Sequence, residues 1–228
     1  MQVATESNFI IGTYKFELRN RFLCNVQIDD EDVVCYVPSS CHLSNFLQLE
    51  GKRVLLVPTK TCNSRTSLAL FAVPYKRNYI ILNTSIANRA MEYSLRGKRF
   101  AFLGKRNKII KEHLVDGYKA DLYLPETNTI LEIKSIISSQ TTGIFPTVYS
   151  ERTLKQLQSI YHMLLNGYKV CFAIVSLHPY VKKIQIDSTT DFYLELMKCI
   201  EAGLILKGYT CRLHNDNVLI DKEISVCY

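Results

Sequence analysis

The sequence has no apolar run long enough to cross a bilayer. Its longest runs, VLLV at 54–57 and VCFAIV at 170–175, fall far short of the roughly 18 residues a helical span needs, so no membrane partner is expected. The N-terminal stretch MQVATESNFIIGTYKF lacks a basic segment followed by an apolar run and a small-residue cleavage site. Secretion is therefore not expected, and the cytoplasm is. The eight cysteines, at 24, 35, 41, 62, 171, 199, 211 and 227, include no CxxC pair. In a reducing compartment such isolated thiols read as small buried hydrophobes rather than disulfides. The nearest approach to a zinc set is Cys35, Cys41, His42 and Cys62, and it lacks the paired short-spaced ligands that structural sites usually show.

Acidic residues are also missing between Glu92 and Glu112, where Arg96, Lys98, Arg99, Lys105, Arg106, Lys108 and Lys111 all fall. Such a stretch repels itself unless a polyanion or solvent screens it. Phe100 and Phe102 within it argue for anchorage to the fold. A solvated basic face and a nucleic-acid surface both fit.

What is present is 47% hydrophobic residues in a chain of 228, with a net charge of +7. That length buries one sizeable core or two small ones and excludes general disorder. Residues 12–75 read as five short strands, TYKFELRN, RFLCNVQI, DVVCYV, RVLLVP and SLALFAV, separated by the turn signals DDED, EGK and CNSR; a small barrel or sandwich follows. A small helix is expected near 42–48 and another over 83–95. From about 118 the pattern becomes strand, strand, helix, strand, helix, strand: ADLYL and TILEIKS as a hairpin, 150–166 as a helix, VCFAIVSL as a buried strand, 190–202 as a helix and LKGYTCRL as the last strand. The helix at 150–166 places Leu154, Leu157, Tyr161, Leu164 and Leu165 on one stripe and stops at Gly167. Two domains of unequal type, α+β or α/β as a whole, are expected to meet near 78–83.

The chemistry concentrates in DLYLPETNTILEIK at 121–134. A turn centred between Glu126 and Thr127 sets Asp121 opposite Glu132, and directly opposed hairpin residues share a face with Cβ atoms about 4.5–5.5 Å apart. Lys134, two residues on, lies on the same face; Leu131 and Ile133 point the other way. Two close carboxylates suit Mg2+ or Mn2+, which leave other positions for water and phosphate, and a neighbouring lysine can orient the attacking water and offset phosphate charge. A surface Glu/Lys/Asp ion cluster would leave the same pattern. His113 and His162 read as surface or packing residues. Asn83, Thr84 and Asn88 read equally as capping, interdomain or DNA-contact groups, and Arg89 beside them is kept as a binding candidate.

GYKADLYL, LEIKS and FPTVYSERTLKQL resemble the sugar fermentation stimulation protein family of bacteria and archaea, whose usual pattern runs E…G.SR.DF, EVKS and FPDA.TERGQKHL. RFLCNVQIDDEDVVCYVPSSCHL resembles that family's RFLA.V…CPNTGRM, and LNTSIANR its VNT..PNR. The resemblance covers most of the chain in the same order. It implies an OB-like nucleic-acid-binding β-barrel over 1–80, joined to a restriction-endonuclease-like mixed sheet flanked by helices, of the PD-(D/E)xK nuclease type, over 81–228. It also implies DNA binding and a regulatory link to sugar metabolism genes. By the same resemblance Asp121, Glu132 and Lys134 match the acidic pair and lysine, Glu112 the upstream acid, and Glu151 and Arg152 the ER of TERGQKHL. Leu154 stands where the pattern has Gln, Gln156 where it has His, YKAD replaces SRxD, and PSSCHL replaces PNTGRM with loss of an Arg.

The expected catalytic set is thus Asp121, Glu132, Lys134 and Glu112, with Asp121 and Glu132 as ligands of Mg2+ or Mn2+. Arg89, Lys98, Arg99, Lys105, Arg106, Lys119, Arg152 and Lys155 are the expected nucleic-acid contacts. A metal-dependent DNA nuclease and a non-catalytic DNA-binding regulator both require the basic stretch. The acidic pair favours the enzyme, since a binder gains nothing from carboxylates beside an anionic ligand. RNA is not excluded, because OB-like domains take either nucleic acid in single-stranded form, and a homodimer is left open.

Overall fold

The computed structural model describes residues 9–39, 42–59, 66–148 and 150–228. Cys41 and Cys62, half of the cysteine and histidine set considered for zinc, lie outside the described residues.

Strands β1 (Ile10–Glu17), β2 (Leu23–Ile28), β3 (Glu31–Tyr36), β4 (Arg53–Pro58) and β5 (Leu68–Tyr75) run in the order β3-β2-β1-β4-β5. A parallel pairing of Tyr36 with Ala69 closes them into the expected OB-like barrel. Period-two alternation builds it: Cys24, Val26, Cys35, Val54, Leu56 and Leu70 are fully buried inside. A sixth strand, β6 (Asn78–Ile81), adds to β5; at four residues it was too short to announce itself. The helix expected near 42–48 is a single 3-10 turn, Leu43–Asn45, whose Leu43 and Ser44 amides donate to the Glu17 carboxylate at 2.6 and 3.3 Å.

The chain then forms α1 (Ile86–Ser94), a 3-10 segment at Lys98–Leu103, β7 (Ile110–Val115), β8 (Tyr118–Leu124), β9 (Thr129–Ile136), β10 (Thr142–Phe145), α2 (Glu151–Leu165), β11 (Lys169–Ser176), β12 (Lys183–Ile186), α3 (Asp191–Glu201), β13 (Ile205–His214) and β14 (Asn217–Cys227). These strands make one eight-stranded mixed sheet, β10-β12-β14-β13-β11-β9-β8-β7. β9, β11 and β13 are parallel, and β7-β8-β9 antiparallel. Ser150 caps α2 by accepting from the Thr153 amide at 3.3 Å, and Gly167, at φ +85°, ends it. The segment LKGYTCRL is not the last strand. Asn215 and Asp216 both take positive φ, 46° and 61°, the two-residue turn of a tight hairpin, and they return the chain as β14 between β13 and β12.

The eight-stranded sheet has two unlike faces. Val170, Phe172 and Ile174 of β11 turn toward α2 and α3, where Leu157, Ile160, Leu196 and Cys199 bury. Cys171, Ala173 and Val175, the alternate residues, turn the other way and join Ala87, Met91 and Leu95 with the barrel's Leu56, Leu70 and Ile81 in one continuous core. The Ile81 amide donates to the Leu177 carbonyl at 3.0 Å, tying the end of β6 to the end of β11.

Candidate active site

The hairpin forms in the register its PETN turn predicts: Leu122 faces Leu131, Tyr123 faces Ile130 and Leu124 faces Thr129. The ladder stops at Leu122. The next residue, Asp121, instead accepts the Ile133 amide on Oδ2 at 2.8 Å. Its Oδ1 accepts from Asn88 Nδ2 of α1 at 3.0 Å. Burial pushes the Asp121 carboxyl above the usual carboxylate range and the neighbouring Glu132 adds to the rise; the Ile133 amide, Lys134 and Asn88 oppose it.

Glu132 is 1% exposed. One oxygen accepts from the Tyr118 hydroxyl at 2.5 Å, the other from Lys134 Nζ at 2.7 Å. Lys134 also donates to Gln156 Oε1 of α2 at 2.6 Å. Burial, and after it the Glu132 charge, drives the Tyr118 phenol well above its ordinary pKa, so this hydroxyl is held as a donor. Glu132 and Lys134 are thereby fixed by hydrogen bonds on the α2 side of the sheet, as the alternation of β9 requires, and Asp121 of β8 beside them is held from α1. Among the described residues no group of three or more His, Cys, Asp or Glu gathers as a metal cage.

Asp121 borders a cleft of about 560 Å3 lined also by Glu112, Tyr118, Lys119, Arg152 and Gln156, among others, and Glu132 is buried behind the Tyr118 of that lining. Glu112 takes φ +46° and interrupts the β7–β8 ladder between the pairs Lys111–Leu122 and His113–Ala120, opposite Asp121. Its side chain is 72% exposed and accepts from Lys119 Nζ at 2.6 Å, which holds its carboxyl below the usual range. It stands on the rim, beside the pair and not within it. Lys155 pairs with Glu151 at 3.2 Å on the first turns of α2, next to Arg152.

The basic stretch divides. Arg99 donates to the carbonyls of Ile220 at 3.1 Å and Asp221 at 2.5 Å, and Arg106 to those of Leu95 at 2.7 Å and Gly104. These two guanidinium groups join segments of the fold, whereas Lys98 and Lys105 point to solvent. Phe100, 2% exposed, anchors the stretch against Tyr209 at 5.3 Å. Phe102 does not: it is 41% exposed, with Lys207 Nζ 5.1 Å above its ring. Arg89 lies exposed on α1 and donates to the Tyr93 hydroxyl at 3.1 Å. Asn88, Tyr118 and Gln156 were not singled out as site residues from sequence. For Asn88 a signal existed, since it sits in LNTSIANR.

The family description "Sugar fermentation stimulation protein RE domain" matches residues 85–217. A sugar fermentation stimulation protein homolog of Pelagibacter ubique is 24% identical over 223 residues, covering 90% of this chain and 91% of the relative. A homolog of Natranaerobius thermophilus is 27% identical over 210 residues, with 87% of each chain covered. The solved structure of Pyrococcus furiosus SfsA in complex with Ca2+ superposes with a TM-score of 0.82 at 17% identity, covering 100% of this chain and 98% of that one. At that identity the likeness is one of fold.

Proposed function

This chain belongs to the sugar fermentation stimulation protein family, and from that premise we propose that it binds DNA and hydrolyses phosphodiester bonds with a Mg2+ or Mn2+ ion held by Asp121 and Glu132. The observation that carries this reading is the placing of the Asp121 carboxyl, held by Asn88 and the Ile133 amide at the cleft, beside Glu132; burial first and the Glu132 charge second raise it, and a cation at the pair would offset both. Hard oxygen donors, Asp121 at the cleft and Glu132 buried behind it, would hold such an ion, which usually keeps water and phosphate on its other positions. When bound, the ion lowers the pKa of a water and offsets phosphate charge.

The protein's own groups do the rest. Asn88 and the Ile133 amide fix the rotamer of Asp121, and Tyr118 fixes Glu132. Lys134 places its ammonium where charge develops on a phosphate oxygen, with Gln156 holding it there. Arg152 and Lys155, on the rim, meet the flanking backbone phosphates.

The test is incubation with single- and double-stranded DNA and RNA in Mg2+, Mn2+ or EDTA, scored for binding and cleavage. Wild type should cut with metal and not in EDTA. Asp121→Asn should lower cleavage at least about 100-fold while binding DNA as tightly or more so, because it removes a negative charge facing the phosphate. DNA binding without cleavage under either ion would replace the enzyme by a DNA-binding regulator of sugar metabolism genes.

A further inference from the structure

The outer wall of the barrel carries an aromatic patch with no part in the acidic site. Tyr14, Cys24, Val26 and Cys35 point inward and fill the barrel, while Phe16, Val34 and Tyr36 face solvent at 53, 43 and 39% exposure. Tyr14 and Phe16 share a parity and should share a face. The β1–β2 register shifts between them, and this bulge turns Phe16 outward. There it lies in one row with Asn25 and Val34, and Tyr36 occupies the next row opposite Leu23. Phe22, 38% exposed at the entry to β2, sets its ring nearly parallel to that of Tyr36, 6.5 Å apart at 20°. The Arg21 guanidinium sits 4.8 Å over Phe22.

Charge is distributed unevenly along this wall. Arg19 and Arg21 are exposed in the turn between β1 and β2. The acid beside them, Glu17, is turned away to the Leu43 and Ser44 amides. Asp29, Asp30, Glu31 and Asp32 gather at the opposite end of β2 and β3, roughly 20 Å off along strands of this length. The aromatic end is therefore the cationic end.

We infer that this patch is a stacking platform for single-stranded nucleic acid, with bases on Phe22 and Tyr36 and phosphates toward Arg19 and Arg21. Exposed rings beside guanidinium groups stack bases whatever their sequence, and a duplex hides the base faces that such rings need. The inference rests on the nucleic-acid reading proposed above and deepens it by naming the substrate class; the platform would hold an unpaired strand that the acidic cleft cuts.

The test is fluorescence anisotropy in EDTA with a short labelled oligothymidylate, the matching abasic strand, oligouridylate and a duplex, for wild type and Phe22→Ala/Tyr36→Ala. Both rings are exposed, so folding survives, and thermal melts check it. Wild type should prefer either base-bearing strand to the abasic one. The double variant should lose roughly tenfold or more of that affinity with duplex binding unchanged, and Phe22→Tyr/Tyr36→Phe should retain it. Equal binding of the abasic strand, or an unchanged double variant, overturns the platform and leaves the nuclease reading standing. A wild type that prefers base-bearing strands through these rings yet cleaves nothing supports the platform and overturns the nuclease. A dimer that dissociates on ring removal without loss of strand affinity assigns the patch to a second copy of the chain and overturns the inference.

Discussion

The two faces of β9 alternate residue by residue, yet they are held by different physics. Toward the barrel, Leu131 and Ile133 are 1 and 5% exposed and enter a core shared with α1 and the barrel strands. That face is stabilised by apolar area, which asks for volume and not for direction. Toward α2, Glu132 and Lys134 meet Tyr118 and Gln156 through directed bonds of 2.5–2.7 Å. In a low-dielectric setting each such group needs its partner. In the middle of the strand apolar packing thus lies on one side and the chemistry on the other, with Ile130 and Ile136 flanking the chemistry in the α2 core, and α1 spans both: it buries Ala87, Ala90 and Met91 and reaches Asp121 with Asn88.

The sharpest way to break this contrast is a pair of substitutions at adjacent residues. Ile133→Ala should lower unfolding free energy by about 3 kcal/mol through lost burial and a cavity. Glu132→Gln keeps an acceptor for Tyr118 and should lower it by about 1 kcal/mol or less, while removing a carboxylate from the site. Urea denaturation reads both. Comparable losses would show that the polar face carries as much of the fold as the apolar one.

The same contrast explains what could be read from sequence. The register of β8 and β9 follows from the turn, and the shared face of Glu132 and Lys134 from a period of two, because both are local rules. The partners are not local: Asn88 lies 33 residues from Asp121, and Gln156 22 residues from Lys134. Which helix crosses which strand is a property of packing, and no periodicity in α1 or α2 states it. β10 and β12 escaped because four residues carry too little pattern. β14 escaped although its turn was visible in HNDN, because DKE breaks its apolar alternation. Arg99 and Arg106 read as ligands for phosphate; that they also donate to carbonyls brought near by the fold no local pattern states.

That last distinction yields a smaller effect. Arg99→Ala and Arg106→Ala should each lower stability by about 1–2 kcal/mol, since each strands backbone carbonyls that now accept charged hydrogen bonds. Lys98→Ala and Lys105→Ala should change stability by less than about 0.5 kcal/mol. If the stretch meets phosphates, each lysine variant should instead reduce the salt slope of DNA binding by about 1. Paired melts and salt titrations separate the two classes, and lysine variants that leave the slope unchanged would return them to a solvated surface.

The smallest expected effect concerns the polar intruder on the apolar side. His178 follows β11 where the sheet meets the barrel, 1% exposed, with its ring 4.7 Å from that of Tyr75 at the end of β5. Its Nδ1 accepts from the Tyr180 amide at 3.1 Å. Nε2, which carries the proton of the neutral ring because Nδ1 accepts, is buried without a partner among the described residues, and a second proton would have to enter at Nδ1 and displace the Tyr180 amide. Burial lowers the imidazole below its ordinary 6.5, opposed by its own backbone and assisted by the Lys76 charge. The unfolded chain therefore takes up the proton first as pH falls: the contribution of this group to stability is intact above 6.5 and declines as pH drops below it. His178→Asn keeps an acceptor for the Tyr180 amide and removes the titration, so its melting temperature should fall less steeply than that of wild type between about pH 7 and pH 5. Parallel slopes would place the acid sensitivity elsewhere, and would mean that the apolar face accommodates an imidazolium as readily as the α2 face accommodates its ion pair.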